Sequence, residues 1–154
     1  PSTTGYPYGT TIPTFTVGQM SVGADGTVWV YCKYGTGGST GLGYICTFDE
    51  DFLAVMMSNS VGGLGDKIGV SSISSSAIAN DYCWIQVYGV VDNIQTNGAT
   101  VANVALASTT TAGKVDDSVA NPTKNITGMI LTTGTGSAVA GPGTLNWPVV
   151  GTTN

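Results

Sequence analysis

The chain has 154 residues, 8% of them charged, with a net charge of −5; ordinary soluble domains carry roughly 25% charged residues. Its four cations are all lysines, Lys33, Lys67, Lys114 and Lys124, and it contains neither arginine nor histidine. An acidic, cation-poor surface repels phosphate and excludes direct DNA or RNA binding, and without imidazole neither a Ser-His-Asp nor a Cys-His site can be assembled.

A chain of this length buries roughly 68–70% of its unfolded surface, enough for one domain with a proper core. The surface must be finished with Thr, Ser and Gly, or be covered in part by a partner. A component of an assembly and a Thr-rich secreted β-protein both fit that composition. The opening PSTTGYPYG has neither the basic start nor the apolar core of a secretory signal. No run of about 18 apolar residues is present to span a membrane. The expectation is a soluble protein, made in the cytoplasm or already processed.

Residues 1–16 read as an extended N-terminal arm, with three of the six prolines, no charge, and the apolar side chains Tyr6, Tyr8, Ile12 and Phe15. Pro7 and Pro13 bias the residues before them toward extended backbone. Such an arm gains most when laid across another surface, its own domain's or a neighbour's. Residues 17–154 are expected to form a single β-rich domain.

Asp25-Gly26 is a two-residue hairpin signal between strands expected at 14–22 and 27–34, the second with Val28, Val30, Cys32 and Tyr34 alternating against Thr27, Trp29, Tyr31 and Lys33. GTGGSTGLG at 35–43 is a glycine-rich loop without the order of a phosphate cradle. YICTFDEDFLAVMM starts as a strand. Asp49 as a cap, followed by Glu50 and Asp51, then permits a short helix carrying Phe52, Val55 and Met56.

Strand-length apolar runs follow: IGVSSIS, YCWIQVYG, VANVALAS, ITGMILTT and LNWPVV. In YCWIQVYG, Cys83, Ile85 and Val87 oppose Tyr82, Trp84, Gln86 and Tyr88 with the period of two of a strand. Turn signals separate the runs at Asn97-Gly98, Ala112-Gly113, Gly134-x-Gly136 and Gly141-Pro142-Gly143. This spacing predicts an all-β fold: a small β-barrel or β-sandwich of short antiparallel strands with at most one short helix.

The sequence offers little chemistry. Cys32, Cys46 and Cys83 fit no zinc spacing and read as buried free thiols rather than a disulfide or metal set. Asp49, Glu50, Asp51 and Asp116, Asp117 are the acidic clusters; a carboxylate pair or a Ca²⁺ site competes there with solvated turns, and the turns are preferred. Asn125-Ile126-Thr127 matches a glycosylation triplet at the start of a strand. The aromatic rows Trp29/Tyr31 and Tyr82/Trp84/Tyr88 have three readings: core, protein interface or sugar platform.

The order YCWIQVYG, ANVALAST, TTAGKVDDS, ITGMILTTGTGS and LNWP, with the upstream GDKIGVSSISSSAIAND, resembles the capsid decoration, or cement, proteins of tailed bacteriophages over about residues 64–150. Trp84, Gly89, Gly113, Gly128 and Trp147 carry the match; residues 1–63 lie outside it. The resemblance implies a non-enzymatic homotrimer that is assembled in the host cytoplasm and docks on the exterior of the phage head. There it would clamp major capsid protein subunits together at three-fold and quasi-three-fold positions. No cofactor, metal, nucleic acid or membrane is expected. Candidate capsid or trimer contacts are Tyr6, Tyr8, Ile12, Phe15, Trp29, Tyr31, Trp84 and Tyr88. The alternative is a carbohydrate-binding β-sandwich or a phage fibre or receptor-binding domain; a structural subunit of another surface assembly differs only in its partner.

Overall fold

The computed structural model describes residues 13–35, 40–73, 79–117 and 124–153; Tyr6, Tyr8 and Ile12 of the expected arm lie outside them. The described residues form ten strands: β1 (Met20–Val22), β2 (Val28–Tyr34), β3 (Ile45–Phe48), β4 (Leu53–Met56), β5 (Lys67–Ser71), β6 (Tyr82–Gln95), β7 (Leu106–Ser108), β8 (Val115–Asp116), β9 (Lys124–Leu131) and β10 (Ala140–Thr153). The fold is all-β, as the strand periodicity predicts, and no described residue is helical.

The β1–β2 hairpin is present, with Val22 opposite Val28. Its reversal runs from Gly23 to Thr27 rather than through a two-residue tip. Asp25 Oδ1 accepts from the Thr27 N–H (3.1 Å) and hydroxyl (2.7 Å), and Gly26 takes the left-handed backbone (φ 82°) that ends the turn. The short helix that the residues after Asp49 permit does not form. Asp49 Oδ1 accepts from the N–H groups of Asp51 (3.1 Å) and Leu53 (2.9 Å), and Phe52 adopts φ 57°, so the same acidic residues close an Asx-type turn into β4. VANVALAS is a strand only at Leu106–Ser108. Asn103 turns at φ 59° and donates its N–H to the Leu131 carbonyl (2.9 Å), which ends any extended run through it.

All ten strands belong to one sheet in the order β1-β2-β4-β3-β5-β6-β10-β9-β7-β8. An additional β2–β6 pairing links β2, β4, β3, β5 and β6 into a closed ring. The β2–β4 contact of that ring is parallel, Lys33 beside Leu53. β6 outlasts the ring: its first half pairs with β2, and from Tyr88 to Gln95 it pairs with β10, which carries β9, β7 and β8.

The sheet encloses two apolar compartments. Inside the ring lie Val30, Cys32, Tyr34, Cys46, Phe48, Ala54, Cys83, Ile85 and Val87. The second compartment holds Ile45, Ile68, Val70, Val91, Ile94, Leu106, Met129, Leu131, Leu145 and Val150. β3 and β5 divide them: Ile45, Ile68 and Val70 face the second compartment, while Cys46 and Phe48 face the ring. Gly69 completes the partition on the ring side, where a Cβ would collide with Ile85 Cγ2 and the Gln86 carbonyl. Both faces of these strands are therefore covered, and their side chains alternate between two cores rather than between core and water.

Candidate binding surface

β2 and β6 present their ring-facing residues inward and their aromatic rows outward. On the outer wall Tyr31 stacks on Tyr82 (centroids 5.8 Å) and tilts against Trp84 (5.1 Å). Phe15 covers both, edge-on, at 5.4 Å from Tyr31 and 5.2 Å from Trp84. The Tyr31 hydroxyl accepts from the Thr14 N–H (3.3 Å). The segment entering β1 is thereby fastened to the wall, and Tyr31 retains only 3% exposure. Three of the candidate contacts, Phe15, Tyr31 and Trp84, thus form one aromatic cluster. Trp29 is half-buried, its indole N–H donating to the Thr27 hydroxyl (2.8 Å).

Tyr88 lies elsewhere, at the end of the ring where β1, β2, β6 and β10 meet. The register there runs from Val22 to Val28 to Tyr88 to Asn146. Next to Asn146, β10 changes partner: Asn146 pairs with Tyr88 of β6, whereas Val149 pairs with Lys67 of β5. Between them Asn146, Trp147 and Pro148 bulge from the β9 pairing, opposite Gly128. Trp147 takes φ 49° and its ring swings out, 48% exposed, to meet Tyr88 at 6.3 Å.

Behind Trp147 the ring interior opens to solvent through a groove of about 290 Å3. Val30, Phe48 and Val87 form its floor and belong to the ring core; Met20, Phe52, Trp147 and Pro148 form its rim. Lys67 is the single charged residue in the lining, with its Nζ 5.6 Å from the Phe52 ring centroid. Exposed apolar side chains flank this mouth: Met20 and Trp147 line it, Tyr88 touches Trp147, and Val22 lies in register with Val28 and Tyr88, with exposed Val90 further along β6.

Reading the sequence for aromatic rows reached Tyr88 but missed Met20, Val22, Val90 and Trp147 as surface. The available signal was the dipeptide Trp147-Pro148 inside a strand-like run. Proline removes a ladder donor and marks an edge or bulge, where a neighbouring large side chain is pushed outward.

The mouth is suited to holding an apolar side chain, with the Lys67 amine as the one charged group in its lining. Elsewhere, burial pushes the Cys46 thiol up to about 12, with Thr40 Oγ1 at 3.6 Å the only modest counterweight. Cys32 and Cys83 are raised by the same cause, so these thiols stay protonated at neutral pH. Among the described residues no group of three His, Cys, Asp or Glu side chains is placed to hold a metal ion. Asp117 accepts from the Val101 N–H, and Asp49 closes its turn, so both take part in backbone structure. Comparison with protein-family models and with curated proteins finds no match to this chain.

Proposed function

We propose that this protein is a non-enzymatic capsid decoration protein, a homotrimer that binds the outside of a phage head and ties major capsid protein subunits together. One observation carries the reading: the exposed apolar side chains Met20, Val22, Tyr88 and Trp147 flank the open mouth of the ring in a chain poor in charge. Such a patch marks an interaction surface. The resemblance of residues 64–150 to cement proteins supports the identity of the partner.

Adhesion of this kind works by apolar packing, and three copies engaging one lattice add through effective concentration. Binding the expanded shell alone stabilises that shell by mass action. Ion pairs play little part, so binding should withstand salt that screens exposed charges.

The test is sedimentation of purified expanded heads with added protein in low and high salt, scored as copies per head. Retention at high salt is expected, with weaker binding after deletion of residues 1–12, a cut that spares Phe15 and the wall it covers. Unchanged occupancy would remove the arm from the account, and failure to decorate heads at any salt would overturn the capsid reading.

A second reading rests on the exposed Tyr88 and Trp147 rings, tilted 33° to one another, a pair on which a sugar ring can stack. An oligosaccharide that shifts tryptophan emission, in protein that ignores heads, would favour it.

A further inference from the structure

The groove at the ring mouth is small for a free ligand. At about 290 Å3 it falls at the bottom of the range for small-molecule sites, which run from roughly 300 to 1,000 Å3. Its size and apolar floor suit one large side chain presented by a peptide. The Lys67 ammonium at the lining can donate to a polar tip such as a phenol oxygen.

The chain itself carries a peptide of that chemistry. Residues 1–12, PSTTGYPYGTTI, hold no charge and contain Tyr6, Tyr8 and Ile12. They end where the described residues begin, at Pro13, and extended they reach at most roughly 40 Å. β1 stands at the end of the sheet order, with a side that no described strand pairs; it forms one wall of the groove through Met20, so a peptide can run along it while a side chain enters.

The position of Phe15 decides which copy's arm enters. Phe15 is fixed on the outer wall by Tyr31 and Trp84, whereas Gly18 already lines the groove; only Thr16 and Val17 join them. From Gly18 to Phe15 the described chain therefore runs out of the groove onto the wall, so re-entry into the same groove would need residues 1–12 to turn back on that course. An arm that leaves one subunit in this way is placed to reach the mouth of another, and such head-to-tail contacts close into a ring when the rotation between subunits closes.

We propose that the groove bounded by Met20, Phe52, Lys67 and Trp147 receives a tyrosine from residues 1–12 of a second copy of this chain. The subunits are strapped to one another by exchanged arms. This rests on the assembly reading above, giving the Met20 and Trp147 edge of the patch to the contact between subunits and leaving Val22, Tyr88 and Val90 for the shell, and it is tested without any capsid.

Sedimentation velocity is run on the full chain and on a chain lacking residues 1–12. A synthetic peptide of residues 1–12 is then titrated into the shortened protein and followed by tryptophan emission, with Trp147→Gly protein assigning the signal. The expected result is an oligomer for the full chain, a monomer for the shortened one, and saturable peptide binding with a blue shift. Met20→Lys in the protein, or Tyr6→Ala with Tyr8→Ala in the peptide, should weaken that binding about tenfold or more, as for loss of an aromatic anchor. An oligomer that survives truncation, or a peptide that does not bind, overturns the proposal. So does a monomeric full chain whose Trp147 becomes accessible to iodide only after truncation, because the arm then fills its own groove. A monomer that still decorates heads would sink the strap and the trimer while leaving the capsid as the partner.

Discussion

Gly128 stands opposite Trp147 across the β9–β10 pair, and its missing side chain makes room for the bulge that exposes the indole. Met129 pairs with Leu145 and Thr127 with Val149, so Gly128 alone faces Asn146, Trp147 and Pro148. It adopts φ 85°, and a Cβ there would lie 2.6 Å from the Asn146 carbonyl oxygen. The aromatic edge of the groove depends on a glycine in the neighbouring strand.

Gly128→Ala should therefore cost about 2–4 kcal/mol, the sum of a left-handed alanine and a collision with backbone that cannot rotate away. Gly136, with open space where a Cβ would project, is the control: Gly136→Ala should stay within about 0.5 kcal/mol of the parent. Urea unfolding of the two variants gives the comparison, and equal midpoints would mean that the bulge relaxes without cost.

Trp147→Gly separates binding from stability. The substitution relieves a left-handed non-glycine residue, worth about 1–2 kcal/mol, and gives up the packing of a half-exposed ring on Tyr88. The two effects oppose one another, so thermal unfolding should move little while decoration of heads weakens. A large loss of stability would show that the ring serves the fold instead.

Stability should fall at alkaline pH. Burial holds the Cys46 pKa near 12, above its ordinary 9.0, and pushes Cys32 and Cys83 in the same direction. The folded protein thus keeps protons that the unfolded chain releases, so stability is at its full value below pH 9 and declines as pH rises from 9 toward 12. Each thiol contributes a slope of about 1.4 kcal/mol per pH unit across that window. Cys46→Ala should lower stability overall yet reduce the slope, as read from urea midpoints between pH 8 and 11.

Thr135→Val tests a polar pin. Thr135 Oγ1 lies 2.8 Å from Thr100 Oγ1 and 3.3 Å from Thr96 Oγ1, all three residues being buried. Removing the central hydroxyl takes one partner from each neighbour, leaving Thr100 Oγ1 with the Thr135 N–H (3.3 Å), and should cost about 0.5–1.5 kcal/mol. A neutral result would mean that Thr96, which also donates to the Val139 carbonyl (2.6 Å), carries the cluster without Thr135.

Much of the fold is legible in the chain because strand periodicity reports which residues share a face. Cys83, Ile85 and Val87 enter the ring and Tyr82 and Trp84 stay outside, as the alternation in YCWIQVYG requires. The failures have local causes. Asp49 followed by acidic residues looks the same ahead of a helix and in an Asx turn, and only the left-handed Phe52 distinguishes them. Asn103 likewise breaks VANVALAS without leaving a mark on its hydrophobic pattern. The groove was hidden for a different reason: its lining runs from Gly18 to Val149 and converges only through the closure of β2 on β6.

β5 serves as a wall common to both compartments, with Ile68 and Val70 packed on one side and Gly69 pressed under Ile85 on the other. Neither half can lose its packing without stripping a face of the other. Although its interior is bipartite, the molecule should melt in one calorimetric transition, and heat should not release a half-folded species to seed aggregation.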